Sequence, residues 1–241
     1  MYGGTHGSPT GCAIWEPCRT ALEVPTLSVV PRNRVPPIQT VVFDVGGVLI
    51  DWNPRYLYRT IITEEEEMER FLSEVCTPEW HAQHDLGVSY EDTIPALVAA
   101  HPEWTDEIVA WSGRFVEMYG GVFDGTVDLL RELHRRRVPL VASTNWGAES
   151  WATAKARYEF LECFDGALVS GEVGIAKPDA AFFELLIETF SLVPERTFYV
   201  EDNITNLRAA ADKGFVAHHF VSSTALETDL HRHRLIGAMT Q

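Results

Sequence analysis

Short apolar runs punctuated by turn signals recur along this chain, and their period changes twice. The first run, Thr40-Val41-Val42-Phe43, is β-branched and aromatic and closes on Asp44, with Gly46-Gly47 directly after it. A continuous apolar run bounded by glycines predicts a strand buried on both faces. From residue 52 to about 122 the pattern is helical. Thr63 with Glu66 three positions on matches a capping box, and Glu64-Glu65-Glu66-Glu67 suits the positive end of a helix. Further helices are predicted over 90–100 and 105–119. After Gly120-Gly121 helix and strand alternate. Residues 125–137 set Val127, Leu130 and Leu133 on one helical face, 138–143 read as a strand, 147–158 as a helix and 167–170 as a short strand. Pro178 opens a helix over 179–190, 197–200 reads as a strand, 203–213 as a helix and 216–221 as a last strand.

One strand, a helical block and then strand–helix units predict an α/β fold. Its form is a doubly wound, Rossmann-like parallel sheet with a helical insert after the first strand. Residues 1–37 read as a disordered N-terminal extension, broken by glycine and proline with no sustained period. The core is assigned to 38–51 and 122–241, and the insert to 52–121. Ligands of such sheets bind beyond the carboxyl ends of the strands.

Charge narrows the ligand. Thirty-five acidic residues against 19 basic ones give a formal charge of −16. So acidic a surface repels phosphate backbones and anionic lipid, so neither nucleic acid nor a membrane is an expected partner. An anionic ligand must then be held by a local cation, either a metal ion or one of the three lysines, Lys155, Lys177 and Lys213. No apolar run approaches the ~20 residues of a membrane span, and the first residues lack a basic segment followed by an apolar one. The expected location is the cytoplasm, and the oligomeric state stays open. Cys12, Cys18, Cys76 and Cys163 form no zinc spacing and are expected to be reduced thiols. His218, His219, His231 and His233 read as part of a surface C-terminal helix.

Four strand ends carry chemistry. Asp44 can act as a nucleophile or a metal ligand, and the glycines after it allow close backbone approach. Ser143-Thr144-Asn145 offers hydroxyl and amide donors to an anion, or a cap for the next helix. Gly174-Ile175-Ala176-Lys177-Pro178 presents a lysine beside a rigid residue, suited to neutralising a transferring group. Glu201-Asp202-Asn203 puts adjacent carboxylates after an apolar strand, costly unless a cation or donor compensates them. Oxygen ligands near phosphate suit Mg²⁺.

In this order the segments FDVGGVLIDW, ASTNW, GIAKPDAAFF and VEDNITNLRAA resemble the four motifs of the haloacid dehalogenase-like (HAD) hydrolase superfamily. The likeness is to its C1-capped, phosphatase-like members with a first motif of the form FDxGGV, and it covers roughly 40–221. The resemblance implies that Asp44 is the nucleophile and a Mg²⁺ ligand, with the Gly46 carbonyl and Asp202 completing the metal site. It implies that Thr144 and Asn145 bind the phosphoryl group and that Lys177 steadies nucleophile and phosphate. Glu201 and Asn206 take secondary roles. The insert matches the cap, where Trp52, Arg55, Trp80 and His84 are candidates to meet substrate.

One position departs from the pattern. Phosphatase members carry Asp two residues after the nucleophile as general acid and base, and here that residue is Gly46. Such help is worth about 10²–10⁴ in rate. Asp51, His81, His84 and Asp85 are candidates to replace it. The implied activity is Mg²⁺-dependent hydrolysis of a small phosphate monoester through an aspartyl-phosphate at Asp44. Two alternatives stand beside it. One is 2-haloacid dehalogenation, which Glu201-Asp202 disfavours by repelling a halocarboxylate. The other is a weakly active or inactive phosphate-binding protein, which the retained Asp44, Lys177 and Asp202 disfavour.

Overall fold

A computed structural model describes residues 37–237 of the chain. The extension expected over 1–37, with Cys12 and Cys18, lies outside the described residues apart from Pro37. The described residues form seven strands: β1 (Thr40–Phe43), β2 (Ile50–Trp52), β3 (Tyr119–Val122), β4 (Leu140–Thr144), β5 (Gly166–Val169), β6 (Thr197–Glu201) and β7 (Val216–His219). The insert carries α1 (Arg55–Tyr58), α2 (Glu65–Glu74), α3 (Pro78–Asp85), α4 (Tyr90–Ala100) and α5 (Thr105–Gly113). The rest carries α6 (Asp124–Arg135), α7 (Ala148–Arg157), α8 (Ser170–Val173), α9 (Ala180–Phe190), α10 (Ile204–Asp212) and α11 (Ser223–Arg232).

Five strands form one sheet in the order β5-β4-β1-β6-β7, and every pair in it is parallel. This is the expected doubly wound, Rossmann-like sheet. Alternate residues of each strand point to opposite faces. Val41 and Phe43 of β1 enter a core with Leu130, Leu133, Trp151 and Leu226. Val42 between them enters a second core with Phe182, Phe183, Leu186 and Leu207. Both faces are helix-covered, which is why these strands are continuously apolar. The first core extends into the insert through Tyr58, Phe71 and Trp111.

Several local expectations change. β2 and β3 form an antiparallel ribbon at the root of the insert, with a register shift between Asp51 and Trp52. Three or four residues, two of them glycine in β3, give no readable period, and the pairing partner is some seventy positions away. Consequently α5 ends at Gly113 rather than 119, followed by a 3₁₀ turn at Phe115–Met118. Thr63 is not a cap: Glu64 precedes α2 without a side-chain cap bond. Side-chain caps appear instead at Thr77, Ser89, Asp179, Asn203 and Ser222. Gly147 rather than a residue of the Ser143–Asn145 run precedes α7. His218 and His219 lie on β7, and His218 is buried with Nδ1 2.8 Å from Asp229 Oδ2. Among the described residues Cys76 and Cys163 are free thiols, and no helix is long and apolar enough to cross a membrane.

Candidate active site

The register of the central strands decides which side chains meet. Phe43 pairs with Ala142 on one side and Val200 on the other. One step further along, Asp44 therefore lies between the ends of β4 and β6, beside Ser143 and Glu201. Its backbone N–H donates to Val200 O at 2.9 Å. Its carboxylate is buried, with Oδ1 accepting from the Val45 N–H at 2.6 Å.

Lys177 reaches this point from the turn before α9. Its Nζ lies 3.0 Å from Asp44 Oδ2 and donates to Glu201 Oε2 at 2.7 Å and to Ser143 O at 3.0 Å. Those three contacts use all three ammonium protons. The turn is clamped by Asn145: its Nδ2 donates to Lys177 O at 2.8 Å, and its Oδ1 accepts from Lys177 N at 2.9 Å. Asn145, expected at the substrate, thus places Lys177, and it also lines the cavity that opens at Gly46. Thr144, the last residue of β4, is buried at the same sheet edge.

Glu201 is fully buried; Oε1 accepts from Asn206 Nδ2 and from the Asn203 N–H, each at 3.2 Å. Asn206 thus orients Glu201, which orients Lys177. Asp202 is exposed, with its carboxylate against Gly47 of the Gly46-Gly47 turn. Gly47 has φ +74°, and a Cβ there would stand 2.2 Å from Asp202 Oδ2. Glycine is required at 47 both for the backbone and for the approach of this carboxylate.

One oxygen each from Asp44, Glu201 and Asp202 lie within 4.8 Å of one another. Three carboxylates thus crowd one ammonium. Burial pushes the Asp44 carboxyl well above its usual range; Lys177 pulls the other way, while Glu201 and Asp202 add to the rise. Burial and then Glu201 also raise Asp202. On Lys177, burial opposes the charge, but Asp44, Tyr199 and Glu201 outweigh it and hold the ammonium protonated. On Glu201, burial is likewise outweighed, chiefly by Lys177, and the carboxyl sits below its usual range. Glu201 is therefore spoken for, whereas Asp44 and Asp202 need a further cation. An all-oxygen donor set beside a glycine turn fits a hard cation such as Mg²⁺. Gly46, the other expected ligand, lies in that turn.

A cavity of about 120 Å³ opens at Gly46. It is lined by Trp52, His81, Asp85 and Phe115 from the insert and its root, and by Asn145 and Trp146 from the core. Trp52 stacks on His81, with ring centroids 5.0 Å apart. Of the insert residues expected to meet substrate, Trp52 is present here. Arg55 instead forms a two-pronged pair with Glu69, 2.6 Å at each contact, and Trp80 packs edge-on against Trp111. His84 is buried with Nδ1 2.8 Å from Val88 O and Nε2 3.3 Å from Thr93 Oγ1. Phe115, inside the segment read as a helix over 105–119, and Trp146, at the end of the ASTNW segment, are additions to the residues expected there.

Asp85 closes α3, where the helix dipole opposes a negative charge. Its side chain is 20% exposed and lies 3.8 Å from His81 Nε2. Burial lifts its carboxyl to about 7, against the pull of the Gly147 backbone N–H. Burial, then His84, pushes His81 down to about 4, so near neutrality it carries no charge to offset Asp85. An unfolded Asp ionises near 3.8, while the folded one keeps its proton to about 7. The stability this group contributes is therefore complete below 3.8 and lost as pH rises through 7. Asp85→Asn is expected to gain about 2–3 kcal/mol on the parent between pH 5 and pH 8. Urea midpoints at the two pH values measure it, and identical pH profiles would mean that Asp85 is already ionised in the fold.

A family profile described as haloacid dehalogenase-like hydrolase matches residues 38–214. The chain is 27% identical over 202 residues to a sesquiterpene phosphatase of Aspergillus oryzae, covering 83% of this chain and 97% of that one. It is 25% identical over 186 residues to a phosphorylated carbohydrates phosphatase of Thermotoga maritima, covering 73% and 82%. A HAD family enzyme of Bacteroides thetaiotaomicron, solved as a magnesium complex, superposes with a TM-score of 0.61 at 19% identity, covering 76% of this chain and 93% of that one.

Proposed function

The chain belongs to the haloacid dehalogenase-like hydrolase family, and from that premise we propose that it is a Mg²⁺-dependent phosphomonoesterase whose nucleophile is Asp44. The observation that carries this reading is the buried Asp44 carboxylate, 3.0 Å from the fully enclosed Lys177 ammonium and grouped with Asp202 at the carboxyl edge of the sheet. Relatives named as phosphatases favour a phosphate ester over a carbon–halogen bond. The substrate is a small organic phosphate. Residues 52–121 act as a C1-type cap over the core formed by 38–51 and 122–241, with FDVGG as the first motif.

An Asp44 carboxylate oxygen attacks phosphorus, the ester P–O bond breaks with its electron pair staying on the ester oxygen, and that oxygen takes a proton and departs as an aspartyl-phosphate forms. Water then attacks that phosphorus, the bond to Asp44 breaks, and inorganic phosphate leaves. Lys177, with no freedom to swing away, holds Asp44 and faces the spread negative charge of the transferring group. The Thr144 hydroxyl binds a phosphoryl oxygen, and Asn145 keeps Lys177 in place. Asp44, Asp202 and the Gly46 carbonyl would hold Mg²⁺, which offsets the repulsion between carboxylate and phosphate. Glu201 and Asn206 position Lys177 rather than meeting substrate.

Phosphate release across a panel of sugar, isoprenoid and aryl phosphates is expected with Mg²⁺ and to vanish with EDTA. Mg²⁺ should also raise the melting temperature of the parent, as any ligand of the folded state does, and raise that of Asp202→Asn much less. Chloride release from 2-haloacids in EDTA, without phosphatase activity, would overturn this reading in favour of a dehalogenase.

A further inference from the structure

An alkoxide is a poor leaving group unless it is protonated as it departs. Position 46, two residues after the nucleophile, is a glycine and supplies no proton. The cavity that opens there is walled mostly by aromatic rings, and Asp85 is the one carboxyl among its lining residues. The other candidates are committed elsewhere. Asp51 accepts from the Tyr56 hydroxyl at 2.6 Å and does not line the cavity. Both nitrogens of His84 have partners within the insert. His81 lines the cavity but is held neutral by burial, and a neutral imidazole is a weak acid.

We propose that Asp85, carried into the cavity by the end of α3, is the proton donor to the departing ester oxygen. The proposal rests on the phosphatase reading above. In the first half-reaction the ester P–O bond breaks, its electron pair stays on oxygen, and that oxygen takes the Asp85 proton. In the second, water attacks the phosphorus of the aspartyl-phosphate and gives its proton to the Asp85 carboxylate. The electron pair of the breaking P–O bond returns to Asp44. The sum is ester plus water giving alcohol plus phosphate, with Asp85 protonated again. A carboxyl held near 7 by burial exchanges a proton in both directions at neutral pH, which suits one group doing both jobs. His81 and His84 on its own helix and Tyr90 on α4 are titratable neighbours; burial pushes both imidazoles toward the neutral form, and a tyrosine is never a cation.

The test is the dependence of rate on the leaving group, in single-turnover experiments on the full chain with Mg²⁺. In the parent, rates for a series from nitrophenyl to simple alkyl phosphates should depend weakly on leaving-group pKa. In Asp85→Asn, alkyl phosphates should slow by about 10²–10³-fold while nitrophenyl phosphate slows less than about tenfold. Gly46→Asp in the Asp85→Asn background should recover at least about tenfold on alkyl phosphates. A Cβ at 46 meets nothing nearer than Trp146 Cζ3 at 3.9 Å, so the substitution starts without a backbone or Cβ clash. Equal losses on aryl and alkyl esters in Asp85→Asn, or a steep leaving-group dependence in the parent, would overturn the assignment. If Asp85 fails while the parent still releases phosphate through Asp44, only this inference falls. If the parent hydrolyses no phosphate ester, the phosphatase reading falls and this inference with it.

Discussion

Asp44→Asn should abolish phosphate release, by about 10⁴-fold or more in kcat, the scale on which loss of a covalent nucleophile is felt. The same protein should melt no lower than the parent. The amide keeps the shape of the carboxylate and can still accept from the Val45 N–H, which the acid does at 2.6 Å. What it removes is a buried charge that burial, Glu201 and Asp202 all disfavour. Lys177 keeps Glu201 at 2.7 Å and the Ser143 carbonyl at 3.0 Å, so its ammonium is not stranded. A site that gives up stability for reactivity typically behaves this way on neutralisation. Phosphate release together with thermal melts in chelator measures both halves. Parent-like turnover in Asp44→Asn would sink the mechanism, and a large fall in melting temperature would mean that the Asp44–Lys177 pair is structural.

Lys177→Ala should fail on both counts. Its ammonium is 1% exposed and is the shared partner of Asp44 and of Glu201, which is fully buried. Removing one member of a buried ion cluster leaves an uncompensated charge and costs about 3–5 kcal/mol, or roughly 10 °C in melting temperature for a domain of this size. Activity should fall by about 10²–10³-fold or more, as when a preorganised electrostatic donor is lost. The double variant Lys177→Met/Glu201→Gln separates the two effects: most of the stability should return, and none of the activity. Lys155→Ala and Lys213→Ala provide the contrast. Lys155 lies over the Trp151 ring, and Lys213 pairs with the exposed Glu184. Such surface contacts are worth about 1 kcal/mol or less. Three alanine variants with equally small effects on turnover would show that the third motif plays no part in catalysis.

The strand ends were legible in the sequence because their signals are local. Thr40-Val41-Val42-Phe43 is apolar on both faces, as a central parallel strand must be, and the residue that ends it has to face the ligand edge. The same reasoning picks out Thr144 after β4 and Glu201-Asp202 at the end of β6. The scarcity of lysine made Lys177 conspicuous. Fold class followed from the alternation of strand and helix after Gly121. The β2–β3 ribbon did not, since each strand is too short to show a period and its pairing is long-range.

The division of labour within the site required the tertiary structure. Sequence pattern cannot distinguish a carboxylate that braces a lysine from one left for a cation. Glu201 and Asp202 are adjacent, yet the pleat buries the first against Lys177 and leaves the second facing Gly47. Asn145 reads as a phosphate donor alone, and its second role appears only when its amide is found holding the Lys177 backbone thirty-two residues away. Asp85 reads as the polar end of an insert helix. It stands out from the other candidate acids, Asp51, His81 and His84, only when packing brings the end of α3 to Gly46 and excludes enough water to keep its proton. Periodicity records which face of an element is buried. Which side chains from different elements share that buried space, and hence which charges must be compensated or retained, is set by register and packing across the whole chain.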